Sequence, residues 1–142
     1  MITVIKSPFV QYKLTILRNK KTSNTVFRQT MNEISYLIAS DVLQYVPFKK
    51  QTIETPLKKM SGTALGQPII LVPILRAGLG LLEGFAKFLP EAEKGHIGLY
   101  RDEQTYEPVE YLFKLPRVKN KKVLILDPVS YTHLTLPTIP QV

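Results

Sequence analysis

The 142-residue chain has no cysteine. That excludes a disulfide framework, a thiolate metal site and a cysteine nucleophile, and it fits a reducing, cytoplasmic setting. No uninterrupted apolar run approaches the ~20 residues that a membrane-spanning helix needs. The opening Met1-Ile2-Thr3-Val4-Ile5-Lys6-Ser7-Pro8 lacks the basic-then-apolar layout of a signal peptide. Acidic residues are few, 11 against 19 Lys and Arg, so the net charge is +8. Such a balance invites a nucleic-acid partner. The lysines, however, come as scattered pairs (Lys20-Lys21, Lys49-Lys50, Lys58-Lys59, Lys121-Lys122) with no aromatics interleaved to stack bases. They read as solvated loop ends, and a chain whose substrates are polyphosphates accounts for the charge equally well.

What is present suffices for a core: 44% of residues are hydrophobic, and the length suits one domain. Residues 14–18 read as a short helical element after Pro8. Thr22, Ser23 and Asn24 offer N-caps. Behind them Val26, Phe27, Met31, Ile34, Leu37, Ile38, Val42 and Leu43 recur at three and four residues, an amphipathic helix that Pro47 closes. Residues 51–55 alternate weakly and read as a strand, residues 58–66 as a polar turn region. Residues 69–75 are nearly all apolar, as in a strand covered on both faces. Leu81, Leu82, Phe85, Ala86 and Phe88 follow at helical spacing. Residues 95–100 and 109–115 are further strands around the polar stretch 101–107, and residues 122–127 are an apolar strand ending in an acid. Helices alternating with apolar strands indicate an α/β fold, a parallel sheet flanked by helices with a helical N-terminal segment.

The chemistry gathers at the strand ends. In Val72-Pro73-Ile74-Leu75-Arg76-Ala77-Gly78-Leu79-Gly80 a buried strand runs into one arginine and two glycines. The glycines are expected to let the backbone turn sharply and approach a ligand, with an anion on the amides of the following helix. Arg101 ends a second strand, and Asp127, followed by Pro128, ends a third. A parallel sheet would project all three from one edge. Two guanidinium forks suit polyphosphate oxygens, and a carboxylate beside them can take ribose hydroxyls or water on magnesium. Simpler readings stand beside this: Arg101 paired at the surface with Asp102 or Glu103, and Asp127 as a helix N-cap.

Residues 72–80, Gly95-His96-Ile97-Gly98-Leu99-Tyr100-Arg101-Asp102-Glu103, Glu107-Pro108-Val109-Glu110-Tyr111 and Leu126-Asp127-Pro128 resemble the uracil phosphoribosyltransferase family, as do Glu54-Thr55-Pro56-Leu57 and residues 8–14. Ser7 and Tyr12 depart from it, standing where relatives often carry histidine. The resemblance implies transfer of the phosphoribosyl group of phosphoribosyl pyrophosphate (PRPP) to uracil, giving UMP and pyrophosphate in pyrimidine salvage. It implies that Arg76, with the amides of Ala77 and Gly78, holds pyrophosphate. Arg101 would reach the same group from a neighbouring strand or subunit. Asp127, with Pro128, would open the PRPP loop and contact the ribose. No residue is assigned as nucleophile or base, as uracil ligand or as metal ligand. Magnesium is expected with PRPP, GTP as an allosteric activator, and a homo-oligomer as the assembly. Nucleic acid and membrane are not expected as partners.

The resemblance stops after Pro128. Residues 1–128 are therefore expected to be the N-terminal part of one phosphoribosyltransferase domain, and residues 129–142 a non-native tail. Val129-Ser130-Tyr131-Thr132-His133-Leu134 is what GTC TCT TAT ACA CAT CTN would encode, and that string resembles a transposon end used in preparing sequencing libraries. The polypeptide by itself is expected to be inactive. Two rival functions are a phosphoribosyltransferase for another base and an RNA-binding regulator on the same scaffold, the latter marked by steeply salt-dependent affinity.

Overall fold

The computed structural model describes residues 2–128. The expected non-native tail, residues 129–142, lies outside the described residues. Helix α1 (Pro8–Arg18) begins where Ser7 Oγ accepts from the Val10 N–H at 3.4 Å. Pro8 takes its first position, where a missing N–H costs nothing. Helix α2 (Asn24–Leu43) is capped by Ser23, whose Oγ accepts from the Val26 N–H at 3.3 Å. Thr22, another cap candidate, instead donates its hydroxyl to the Ile16 carbonyl at 2.6 Å and closes the turn between the helices. Lys13 and Glu33 tie α1 to α2 at 2.6 Å. The Lys13 ammonium, and after it the Gln29 amide, hold the Glu33 carboxyl below the usual carboxylate range.

Strand β1 (Phe48–Glu54) and strand β2 (Lys59–Leu65) form an antiparallel hairpin, Phe48 opposite Leu65 and Glu54 opposite Lys59. This corrects the turn expected over residues 58–66. Almost every residue of the hairpin is exposed on both faces, so no buried face imposed the period-2 pattern by which a strand is read. Lys49, Lys50 and Lys59 accordingly lie on strands and not at loop ends.

Strand β3 (Ile69–Leu75) is the centre of the main sheet, with Ile69 to Pro73 buried. Helix α3 (Leu79–Phe88) follows it and packs against α2. Strand β4 (Glu93–Lys94) and strand β5 (His96–Arg101) pair parallel to β3 one after the other, and strand β7 (Lys122–Leu126) pairs parallel on its other side. Pro73, which has no N–H for a ladder, falls between the last β4 pair, Leu71 with Lys94, and the first β5 pair, Ile74 with Ile97. Strand β6 (Pro108–Lys114) runs antiparallel to β5. The sheet is therefore mixed, because the connection over residues 102–107 is too short for the crossover that a parallel neighbour requires. The core fills the space between this sheet and helices α2 and α3, with Met31, Ile34, Leu71, Leu81, Phe85 and Leu126 at its middle. Burying each such side chain contributes roughly 1.5–3 kcal/mol.

Candidate functional site

The strands β3, β5 and β7 are parallel, so their carboxyl ends share one edge, and a cleft of about 1140 Å³ opens there. Arg76, Arg101 and Asp127 all line it. The three strand ends singled out by sequence thus meet in one place. Arg76 directly follows β3, joined to Leu75 by a cis peptide bond. Its guanidinium has no hydrogen bond or ion pair among the described residues. Asp127 is exposed and equally free of side-chain partners there, so it caps no helix among the described residues. Pro128 beside it is buried and does not face the cleft.

Arg101 does not pair with Asp102 or Glu103. Its Nη1 donates to the Tyr106 carbonyl at 3.2 Å, across the tip of the β5–β6 hairpin. Asp102 builds that tip: its Oδ1 accepts from the Gln104 and Thr105 N–H groups, both at 2.8 Å, and from the Thr105 hydroxyl at 3.2 Å. The Thr105 amide, and after it the Gln104 amide, hold the Asp102 carboxyl below the usual carboxylate range. Its charge is spent on loop shape and leaves the Arg101 fork unneutralised.

The turn after Arg76 differs from expectation. The Gly78 N–H donates to the Ile74 carbonyl at 2.7 Å, and the Leu79, Gly80 and Leu81 N–H groups donate to Arg76, Ala77 and Gly78 at 3.1 Å each. These amides are used within the chain and are not available to an anion. The Ala77 N–H has no partner among the described residues. Gly78 is needed for a close approach to protein, not to ligand. Its φ is −60°, and a Cβ there would stand 2.6 Å from the Ile74 nitrogen and against the Leu126 carbonyl. Gly80 likewise meets Met31, whose Cγ would lie 2.7 Å from an added Cβ. The glycines let α3 start hard against β3, β7 and α2, and the Arg76 fork and the Ala77 amide are left without partners among the described residues.

Sequence reasoning missed the wall that α2 and α3 contribute. Arg28, Asn32 and Glu83 line the same cleft, and Asn32 Nδ2 donates to Glu83 Oε2 at 2.8 Å. Arg28 and Asn32 stand four apart, hence on one face of α2, a signal present in the sequence but with nothing there to say which cleft the face borders.

The uracil phosphoribosyltransferase family model matches residues 4–138. The chain belongs to the uracil phosphoribosyltransferase family. It is 45% identical over 131 residues to the uracil phosphoribosyltransferase of Levilactobacillus brevis, covering 91% of this chain and 63% of that protein. It is 45% identical over 133 residues to that of Finegoldia magna, covering 92% and 64%. The chain thus spans under two thirds of the length of these curated relatives. Among solved structures, the AQ2163 protein from Aquifex aeolicus is similar at a TM-score of 0.82 and 31% identity, over 99% of this chain and 70% of that one. Within the uracil phosphoribosyltransferase family, then, the cleft with its two strand-end arginines is the candidate substrate site.

Proposed function

We propose that the complete protein is a uracil phosphoribosyltransferase, which transfers the phosphoribosyl group of PRPP to uracil and gives UMP and pyrophosphate. The observation that carries this reading is the meeting of Arg76, Arg101 and Asp127 on one cleft in a member of that family. In the reaction the bond from the anomeric carbon to the pyrophosphate oxygen breaks while a bond to a uracil nitrogen forms, and the proton of that nitrogen ends on the released pyrophosphate. The sugar becomes oxocarbenium-like and negative charge grows on the leaving group. The chain's part is to bind that charge and hold the sugar in line, not to supply a nucleophile. Arg76 and the Ala77 N–H hold the pyrophosphate, Arg101 closes on it from the hairpin, and Asp127, fixed by Pro128, accepts from the ribose hydroxyls. Gly78 belongs to this site as the packing contact that fixes Arg76.

Magnesium is part of the same reading. Asp127 suits a cation that keeps several waters and takes one or two carboxylates together with substrate phosphates; what it supplies is charge neutralisation on the leaving group. GTP activation, a cytoplasmic setting and a homo-oligomer complete the proposal. For the oligomer, the support is that among the described residues the β1–β2 hairpin packs on no other element to any extent, and an isolated hairpin is marginal in water. No helix among the described residues is long and apolar enough to cross a membrane.

The test is PRPP-dependent UMP formation by the complete protein with uracil, cytosine and the purine bases compared. Uracil is expected to be the preferred acceptor, and Arg76→Ala to lower kcat by roughly a hundredfold or more, the scale of losing one donor to a developing oxyanion. Preference for another base, or an Arg76→Ala variant at parental rate, would overturn it.

A further inference from the structure

The α2 wall of the cleft carries an arginine to which the reading above gives no task. Arg28 lines the same cavity as Arg76 and Arg101, is exposed, and has no hydrogen bond or ion pair among the described residues. Its neighbours are all engaged. Gln29 Nε2 donates to Glu33 at 3.1 Å, Glu33 is paired with Lys13, and Glu83, the carboxylate across on α3, is taken by Asn32 Nδ2 at 2.8 Å. An exposed arginine at the solvent face of a helix would be unremarkable; one that borders a cavity already lined by two guanidiniums, with Glu83 held by Asn32 and Asp127 the one lining carboxylate without a partner among the described residues, is different. Three guanidiniums against two carboxylates, Glu83 and Asp127, leave the lining with an excess of positive charge that a bound anion would balance. The one closed amide turn at the start of α3 sharpens the need, since the backbone there gives the anion little beyond the Ala77 N–H.

We propose that Arg28 is a third anion-binding residue of the site, gripping a phosphate oxygen of the substrate from the α2 side, opposite the strand-end arginines. Asn32 and Glu83 act as positioning residues, since their mutual hydrogen bond holds the Glu83 carboxylate on Asn32, and it makes no ion pair with Arg28. The inference rests on the proposed PRPP site. It adds that α2, and not the sheet edge alone, reads the pyrophosphate, so the cleft closes on its ligand between helix and sheet.

The experiment is calorimetric titration of inorganic pyrophosphate with magnesium into the complete protein and four variants: Arg28→Ala, Arg28→Lys, Arg76→Ala and Arg117→Ala. Arg117 is the control for general charge. It precedes β7 at the amino end of that strand, the opposite sheet edge from the cleft. The strand length puts it on the order of 16 Å from the site, beyond the Debye length of about 10 Å at 0.1 M salt. Arg28→Ala is expected to weaken pyrophosphate binding about tenfold or more, the scale of one charge-assisted contact. Arg28→Lys should recover part of that loss, because the charge stays and the fork goes, and Arg117→Ala should stay within twofold of the parent. Unchanged thermal midpoints would confirm that the exposed Arg28 is not needed for folding. If Arg28→Ala binds no more weakly than Arg117→Ala while Arg76→Ala loses binding, the inference is overturned and the PRPP site stands. If the parent protein binds no pyrophosphate, or Arg76→Ala binds as the parent does, the site reading fails and the inference falls with it.

Discussion

Gly84 sits where α2 and α3 come closest. A Cβ placed on it would stand 2.5 Å from the Ser35 carbonyl carbon and 2.6 Å from the Tyr36 nitrogen, and would strike the Ser35 hydroxyl, which donates to the Leu81 carbonyl. Two of those neighbours are helical backbone and cannot swing aside. Gly80, four residues earlier, would meet Met31 at its Cγ, 2.7 Å away, a side chain that is flexible but buried in the core, so relief there is partial. Alanine gains up to about 1 kcal/mol over glycine in a helix by propensity, whereas overpacking a tight contact costs about 1–3 kcal/mol. Gly84→Ala should therefore destabilise by on the order of 1–2 kcal/mol and Gly80→Ala by less, read as urea midpoints at a common slope. Equal midpoints for the two would show that α2 and α3 do not pack as closely as described. Neither outcome was legible in the sequence, where both glycines looked alike; what separates them is the identity of an atom on another helix. Arg76, Arg101 and Asp127 were legible, because a residue at the end of a run of apolar residues announces its own position at a strand end.

The elements divide in the same way. α2, α3, β3 and β7 each bury a face or are wholly enclosed, so their apolar periodicity declared them. The β1–β2 hairpin buries little and was half missed. The β5–β6 hairpin lies between these cases: its strands were recognised, but the antiparallel turn-back depends on the loop at its tip. That loop hangs on one carboxylate. Asp102 is held below the usual carboxylate range by the amides of Thr105 and Gln104, and a group whose folded pKa is depressed stabilises above its unfolded value and loses that contribution as pH falls through the folded one. The ordering of the tip should be complete above about pH 4, near the unfolded carboxylate value, and should fade below it. Amide shifts of Gln104 and Thr105 followed by NMR should move in that acid window and stay fixed in Asp102→Asn. Because Arg101 donates to Tyr106 in the same tip, Asp102→Ala should also weaken pyrophosphate binding at neutral pH severalfold. Binding unchanged from the parent would mean that Arg101 is placed by its strand alone.

For the molecule as a whole, parallel strands bring their carboxyl ends to one edge whatever the loops do, which is why the sheet side of the cleft could be read from the order of apolar runs. The helix side could not, since Arg28 and Asn32 reach the cleft only through the way α2 lies over α3. A second whole-molecule property is the apolar surface left outside the core. Phe113 is 60% exposed, Tyr111 52% and Leu57 94%, spread over β6 and the turn of the β1–β2 hairpin. Single exposed apolar residues are ordinary, but several on sheet edges and an unsupported hairpin mark surfaces that associate. Association that favours the folded form raises its apparent stability by mass action, so the melting midpoint depends on protein concentration. The complete protein should therefore sediment as more than a monomer, and its midpoint should rise by several degrees over a hundredfold increase in concentration. Phe113→Ser and Leu57→Ser, both on exposed positions and away from the cleft, should shift the equilibrium toward monomer while keeping the fold. A sharp, cooperative melt that is independent of concentration, from a species that sediments as a monomer throughout, would show that these faces are content in water.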